Sequence, residues 1–395
     1  MKILRIIYDF ADINNVTGGL SPAPYELSLA QASLNDKIYV LCGNLNKKNL
    51  LKRRFVYNIG SNITVYNLPR ALPHFGPFLT TSVFVLPYYF YLKFTKKIDL
   101  VHNHQHLGVW FLLYKKILST VDKTPVFGHF HVTAKGREAS IIKKDSNLPF
   151  FTKYFEYPIH KFSDYLMSKV SVHIFCVAKN IKEEVIKYYK VPSSKITVIE
   201  SAVSVKKFTT NIKKIDTGFS NDSVVLGYIG RISSRKGVDI MIEALKVLPD
   251  KFKLVLWGEF QDKKYEKCIN KKISDYKLNN RFKYMGEVEY FKNQNAFASI
   301  NIFLLPSAYE GLPKVILEAL VAKCIVIASG FKIDKTIPNL HFLSDLRVKT
   351  LVNAILSFYQ DKNGYNKVLK IIRAYYSYER RAEEIKLVYT QVLNK

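Results

Sequence analysis

Two short segments of this sequence hold residue types suited to phosphate. The first is Gly230-Arg231-Ile232-Ser233-Ser234-Arg235-Lys236-Gly237. A short apolar run precedes it and an amphipathic run follows, so it reads as a strand-to-helix turn. Arg231 and Lys236 stand five positions apart across that turn. Two cations beside a helix N-terminus make a clamp for a diphosphate. A solvated loop could contain the same pair, and its place at a strand's end favours a site. The second segment is Pro306-Ser307-Ala308-Tyr309-Glu310-Gly311-Leu312-Pro313-Lys314-Val315-Ile316-Leu317-Glu318-Ala319. Pro313 suits the first turn of a helix, which leaves Glu310 in the loop and puts Glu318 on the helix. The N–H groups of Gly311 and Leu312 then lack intrahelical partners and can receive phosphate oxygens. A carboxylate at Glu318 can accept the two vicinal hydroxyls of a ribose.

Two further features are less specific. Thr17-Gly18-Gly19-Leu20 precedes a helix entered through Pro22 and Pro24. Paired glycines let backbone N–H groups approach an anion, although a plain turn fits equally well. The dinucleotide fingerprint G-x-G-x-x-G is absent. His102, His104 and His106 alternate, as do His129 and His131, which puts each set on one face of a strand. No acidic or cysteine partner accompanies them, so strand-end active-site or structural histidines are expected and a metal is not.

These residues need a scaffold that ends strands at a common edge. Apolar runs at 3–8, 38–42, 63–66, 100–102, 126–129, 174–177 and 196–199 read as buried strands, with helical patterns at 24–34 and 181–189. The polar stretch Lys206–Asn221 has no clear element and is the expected boundary. A second series then runs strand 224–229, helix 237–248, strand 254–257, helix 263–276, strand 282–285, helix 294–298, strand 300–305, helix 313–321 and strand 325–328. The chain closes in an amphipathic helix at about 377–393. The fold class is therefore α/β, with two doubly wound parallel-sheet domains in tandem. In such sheets ligands bind at the carboxyl ends of the strands, and the cleft between the domains is the expected site.

Composition supports a globular, basic protein. The chain has 395 residues, 48% of them hydrophobic, which excludes wholesale disorder. Lys and Arg number 60 against 32 Asp and Glu, a net charge of +28. The excess is even: 27 basic against 13 acidic residues in 1–200, and 33 against 19 in 201–395. It belongs to the folded body and calls for anionic partners: nucleic acid, membrane phosphate or a phosphorylated substrate. The N-terminus meets Asp9 too soon for a signal peptide, and the four cysteines are widely spaced. A reduced cytoplasmic setting is expected. Phe78–Leu92 is uncharged and aromatic but short of the roughly 20 residues that a spanning helix needs. It reads as a buried or interfacial helix, flanked by Lys47, Lys48, Lys52, Arg53 and Arg54 before and Lys93, Lys96 and Lys97 after, as an anionic lipid surface would favour.

The segment E-G-L-P-x-V-I-x-E-A-L at 310–320 resembles the E-x7-E motif of retaining GT-B-fold glycosyltransferases of family 4 (glycosyl transferases group 1). Arg231…Lys236 resembles their G-R-x-x-x-x-K-G. Asp99–His104 looks like their D-V-V-H-x-H strand end, and Pro125–His131 like the next strand. Thr17–Gly19 looks like their N-terminal glycine loop, and Tyr378–Val392 like their closing helix. The resemblance implies a GT-B fold of two Rossmann-like domains: an acceptor domain at 1–204 closed by the helix at 376–395, and a donor domain at 205–375. It implies a UDP- or GDP-linked sugar donor and a glycan or lipid-linked acceptor. Arg231 and Lys236 would hold the diphosphate, Glu318 the ribose, and Glu310 with the N–H groups of Gly311 and Leu312 the donor sugar and phosphate. His131 would lie by the reacting centre, Gly18 and Gly19 would close on the phosphates, and the turns at Gly258 and Val288 would meet the base. With two cations on the diphosphate, neither metal nor other cofactor is required. The enzyme would sit at the inner face of a membrane and make cell-surface polysaccharide or glycolipid. The sequence departs from the family at Ser201–Ser204, where Asn-Gly-Val-Asp is common, at Ile325-Val326, which lacks the proline, and at Gly330–Asp334, which lacks G-G-x-x-E. A non-catalytic GT-B-like scaffold is therefore one alternative. A basic nucleic-acid-binding protein is the other, although no recognition motif accompanies its charge.

Overall fold

The computed structural model describes residues 1–10, 22–43, 55–69, 81–104, 106–136, 138, 154–155, 157–308, 310, 312–360 and 364–394. The chain divides into two compact units, Met1–Glu200 with Arg381–Lys395, and Ser201–Arg380.

The first unit is built on β1 (Lys2–Ile7), β2 (Lys37–Cys42), β3 (Val56–Ile59), β4 (Ile63–Asn67), β5 (Leu100–His104), β6 (Val126–Phe130), β7 (His173–Cys176) and β8 (Ile196–Val198). They form one sheet in the order β3-β4-β2-β1-β5-β6-β7-β8. All pairings are parallel except β3 with β4. β5 and β6 are buried along their whole length, as strands covered on both faces must be. The closing helix, Tyr378–Leu393, lays Tyr389 against Phe127 and Phe175, with ring centroids 4.6 and 6.0 Å apart.

The aromatic segment expected at 78–92 is described from Thr81 onward and gives the helix Val85–Lys96. Val85, Tyr89 and Leu92 are buried at helical spacing, while Tyr91 and Phe94 are exposed. Pro87 lies in its first turn, where no intrahelical N–H bond is lost. The basic group Lys47, Lys48, Lys52, Arg53 and Arg54 lies outside the described residues. No helix among the described residues is long and apolar enough to cross a membrane.

The second unit holds β9 (Val224–Ile229), β10 (Phe252–Trp257), β11 (Phe282–Tyr284), β12 (Ile302–Pro306), β13 (Ile325–Ser329) and β14 (Leu340–Phe342). Their order is β11-β10-β9-β12-β13-β14, all parallel. The winding reverses between β9 and β12, and the crevice at that switch point is where such sheets bind ligands. The polar stretch Lys206–Asn221 is not a free linker. Phe208 is buried, Lys213 N donates to Asn295 Oδ1 at 3.0 Å, and Ile215 N donates to Ser299 Oγ at 2.8 Å. Side chains of the helix Asn293–Ala298 and its C-cap thus satisfy backbone groups that lack a regular element of their own. The sequence pattern also did not show β14 or the helices Val348–Phe358 and Tyr365–Tyr375.

Candidate active site

Every phosphate-type residue of the second unit follows the carboxyl end of a strand. The Gly230–Gly237 turn leaves β9, and the Ser307–Pro313 loop leaves β12, the two strands at the switch point. Close backbone approach locks these turns together. Gly237 adopts φ +71°, and a Cβ there would stand 2.2 Å from Pro306 O. Gly258, after β10, adopts φ +132°, and a Cβ there would stand 1.9 Å from Gly230 O. Only glycine accepts both constraints.

The two halves of the site meet in one ion pair. Lys236 Nζ contacts the Glu310 carboxylate directly. Ser307 Oγ donates to Glu310 Oε1 at 2.6 Å, and Arg235 Nη1 stands 3.5 Å from the same oxygen. Glu310 N donates to Gly330 O at 2.6 Å, tying the loop to the end of β13. Burial pulls the Lys236 pKa below the usual lysine range, and the Glu310 charge opposes that shift. The pair is a preformed cation with its carboxylate held in place.

Arg231 is placed differently. Its side chain is exposed and makes no ion pair among the described residues, while its carbonyl accepts from Tyr228 Oη at 2.8 Å. It is thus an available cation on the same turn as Lys236. Arg235 and Ser307 were missed in the sequence, because nothing local says that either reaches Glu310.

Glu318 sits on the helix Lys314–Val321 and is 3% exposed. Lys314 Nζ lies 3.1 Å from its Oε1, an i,i+4 pair, and Lys314 also donates to Tyr290 Oη at 3.0 Å. Yet Glu318 Oε1 takes no hydrogen bond among the described residues. The Lys314 ammonium answers its charge, and the oxygen keeps lone pairs that can accept a ligand hydroxyl. Leu312 is half-buried just before this helix. Gly311, and Gly18 and Gly19 of the N-terminal loop, lie outside the described residues.

The turns expected to meet a base are tightly engaged. Gly258 N donates to Gly286 O at 2.8 Å, and Gly258 O accepts from Tyr284 Oη at 2.9 Å. Its N–H and one lone pair of its carbonyl are therefore used by the fold, so that glycine offers a ligand close approach more than hydrogen bonds. Val288 is half-buried and packs on the core of this unit.

In the first unit, His131 follows β6 and is half-buried. Its Nε2 lies 3.0 Å from His104 Nδ1, at the end of β5. Burial, helped by the Arg5 charge, lowers its pKa to about 4, so it is neutral at neutral pH. His102, His104 and His129 are buried beside it, with a ring nitrogen of each within 4.8 Å of the others. All three have pKa values pushed well below the usual range, first by burial. Among the described residues, no carboxylate or cysteine joins that group.

The chain is similar to known proteins over nearly its whole length. The family description "Glycosyltransferase Family 4" matches residues 17–207, and "Glycosyl transferases group 1" matches residues 209–373. The chain is 22% identical to one subunit of the human phosphatidylinositol N-acetylglucosaminyltransferase, over 95% of this chain and 73% of that protein. It is 27% identical to the Escherichia coli UDP-Gal:alpha-D-GlcNAc-diphosphoundecaprenol alpha-1,3-galactosyltransferase, over 60% of this chain and 65% of that one. Its fold matches Anabaena Alr3699/HepE, solved with UDP-glucose, at a TM-score of 0.68 and 17% identity, covering 99% of this chain and 100% of that one. Two parallel-sheet units, a Lys236–Glu310 pair at the switch point of the second and family matches over nearly the whole length place this chain among the GT-B glycosyltransferases of family 4, group 1.

Proposed function

We propose that this chain transfers a sugar from a nucleoside-diphosphate sugar to a glycan or lipid-linked acceptor, with retention at the anomeric carbon. The observation that carries the reading is the held Lys236–Glu310 pair at the end of β9 and β12, with the exposed Arg231 on the same turn and a buried Glu318 carboxylate paired with Lys314. Cations on that turn suit a diphosphate. Glu318 Oε1 suits the hydroxyl donors of a ribose. The names of relatives that use or bind UDP-sugars support a UDP-linked donor.

In this mechanism the bond from the anomeric carbon to the diphosphate oxygen breaks, and its electrons leave with the diphosphate. The sugar passes through an oxocarbenium-like state. Lys236 and Arg231 stabilise the departing charge, a task that preorganised cations perform without a metal. Glu310 is occupied by Lys236 and Ser307, which makes it a positioner and a sugar contact, not a free nucleophile. The acceptor hydroxyl attacks the face that the diphosphate leaves, and its proton passes to a diphosphate oxygen.

The test is donor turnover and thermal protection across UDP- and GDP-sugars in the presence of EDTA. Glu318→Gln removes the charge, keeps the shape and places an amide where the ribose hydroxyls would donate. Its KM for the donor is expected to rise about tenfold to a hundredfold, as loss of a charged hydrogen bond of about 1.5–3 kcal/mol requires, with a smaller change in kcat. Neither turnover nor protection with any donor would sink the reading, and an unchanged KM would remove Glu318 from it.

The inner face of a membrane is the proposed setting. The helix Val85–Lys96 exposes Tyr91 and Phe94, the latter at 73%, with Lys96 and Lys97 at its end; Lys93, expected to face lipid as well, is instead paired with the buried Asp122 at 2.7 Å. An exposed aromatic ridge with adjacent cations suits insertion among anionic headgroups. Phe94→Ser is expected to weaken sedimentation with phosphatidylserine vesicles severalfold while leaving turnover of a water-soluble acceptor intact. Equal sedimentation with purely zwitterionic vesicles would contradict the electrostatic part.

A further inference from the structure

The histidines on β5 and β6 form a single network, and its unpartnered atoms determine which nitrogens carry protons. Four rings stack: His102 on His104 at 4.3 Å between centroids, His104 on His129 at 4.8 Å, and His129 on His131 at 4.7 Å. Three contacts link them in two chains. His104 Nδ1 lies 3.0 Å from His131 Nε2. His129 Nδ1 lies 3.2 Å from His102 Nε2, and His102 Nδ1 lies 2.6 Å from Tyr389 Oη. Each imidazole is held neutral by burial and by the Arg5 charge, so each has one N–H and one lone pair.

Two ring nitrogens lack a partner among the described residues, His104 Nε2 and His129 Nε2, in side chains 1% and 4% exposed. A buried N–H without an acceptor is rarer and costlier than a buried lone pair without a donor. The orphan nitrogens are therefore the lone pairs, and the protons lie on His104 Nδ1 and His129 Nδ1. His129 then donates to His102 Nε2, and His102 donates from Nδ1 to Tyr389 Oη. In the other chain, His104 donates to His131 Nε2. His131 has only its Nδ1 left to carry a proton, and that is the nitrogen not engaged with His104.

We propose that His104 is a positioning residue that holds His131 in its Nδ1–H form, so that His131 presents a hydrogen-bond donor to an oxygen of a bound substrate and does not act as a base. This rests on the proposed glycosyl transfer, with His131 read as a substrate-contacting residue at the strand ends of the first unit. It assigns work to His104, which touches no ligand itself. A sugar hydroxyl or phosphate oxygen that accepts a hydrogen bond is the group His131 would select. Asparagine at 104 can place an amide N–H where Nδ1 stands. Glutamine reaches instead towards the position of Nε2, and phenylalanine has no donor.

The test has two arms. In the first, the ¹⁵N-histidine-labelled protein without any ligand is studied by long-range ¹H–¹⁵N correlation at neutral pH, with His131 and His104 assigned from single variants. The expected result is protonated Nδ1 and unprotonated Nε2 on both rings. A protonated Nε2 on His131 overturns the proposal, whatever the enzyme does with a sugar donor. In the second arm, His104→Phe and His104→Gln are expected to lower kcat at least tenfold with little change in KM, and His104→Asn to recover to within about threefold of the parent. Equal loss in all three variants, with melting temperatures unchanged, overturns it as well. Absence of turnover with every donor, alongside the expected nitrogen pattern, would count against the glycosyl-transfer reading and leave the tautomer assignment standing.

Discussion

Replacing Lys236 by alanine is expected to lower kcat by about 10²–10³, the loss seen when one preorganised donor to a developing negative charge is removed. Lys236 is part-buried and its ammonium is held against Glu310, so it meets the departing diphosphate without reorganising. Its pKa is lowered, first by burial, and a cation that is poorly hydrated gains more from an incoming anion. Ser307 and Arg235 remain to hold the Glu310 carboxylate in the variant, so the fold should survive. Arg235→Ala is the informative companion. That side chain is 42% exposed and 3.5 Å from Glu310, and its removal should cost far less. Steady-state kinetics with a saturating donor, checked by thermal unfolding, decide the matter. A Lys236→Ala enzyme within threefold of the parent would remove the cation clamp from the mechanism.

Gly258→Ala is expected to destabilise the second unit by about 3 kcal/mol or more, the combined scale of an overpacked contact and a disfavoured backbone angle. The methyl would fall 1.9 Å from Gly230 O and 2.7 Å from Gly230 C, atoms of a backbone that cannot swing aside. That backbone begins the turn carrying Arg231 and Lys236, so whatever protein folds should also have lost donor binding. Gly286→Ala is the control. It too has positive φ, +72°, but nothing lies within 4 Å of its would-be Cβ. It should cost only about 1–2 kcal/mol, the left-handed penalty alone. Urea unfolding of the two variants separates them. Similar losses in both would mean that the close approach of the β9 and β10 turns does not constrain the site.

Much of the second unit was legible because its signals are local. Val224–Ile229, Leu254–Trp257 and Ile325–Ala328 are short apolar runs bounded by polar or glycine turns, and they become β9, β10 and β13 with shifts of a few residues at most. Glu318 and Lys314 are four apart on a helix, and that spacing alone puts them side by side. β14 escaped notice because Leu340–Phe342 is only three residues long and alternates weakly. The stretch at 206–221 reads as a boundary without an element because its backbone is satisfied by side chains distant in sequence, such as Asn295 and Ser299, which no local pattern reports.

The sequence by itself determined the residue types at each strand end, the α/β alternation that turns those ends to one edge of a sheet, and the helical spacing of Glu318. Only the tertiary structure decided which of them touch. Lys236 and Glu310 are 74 positions apart, and their contact exists because β9 and β12 are neighbours at the switch point. The register that pairs His104 with His129 likewise creates the histidine network and leaves two nitrogens without partners among the described residues. Periodicity records which face a side chain takes along its own strand. Adjacency and register between strands depend on packing and hydrogen bonding across the whole sheet, so they arise only when the chain is folded.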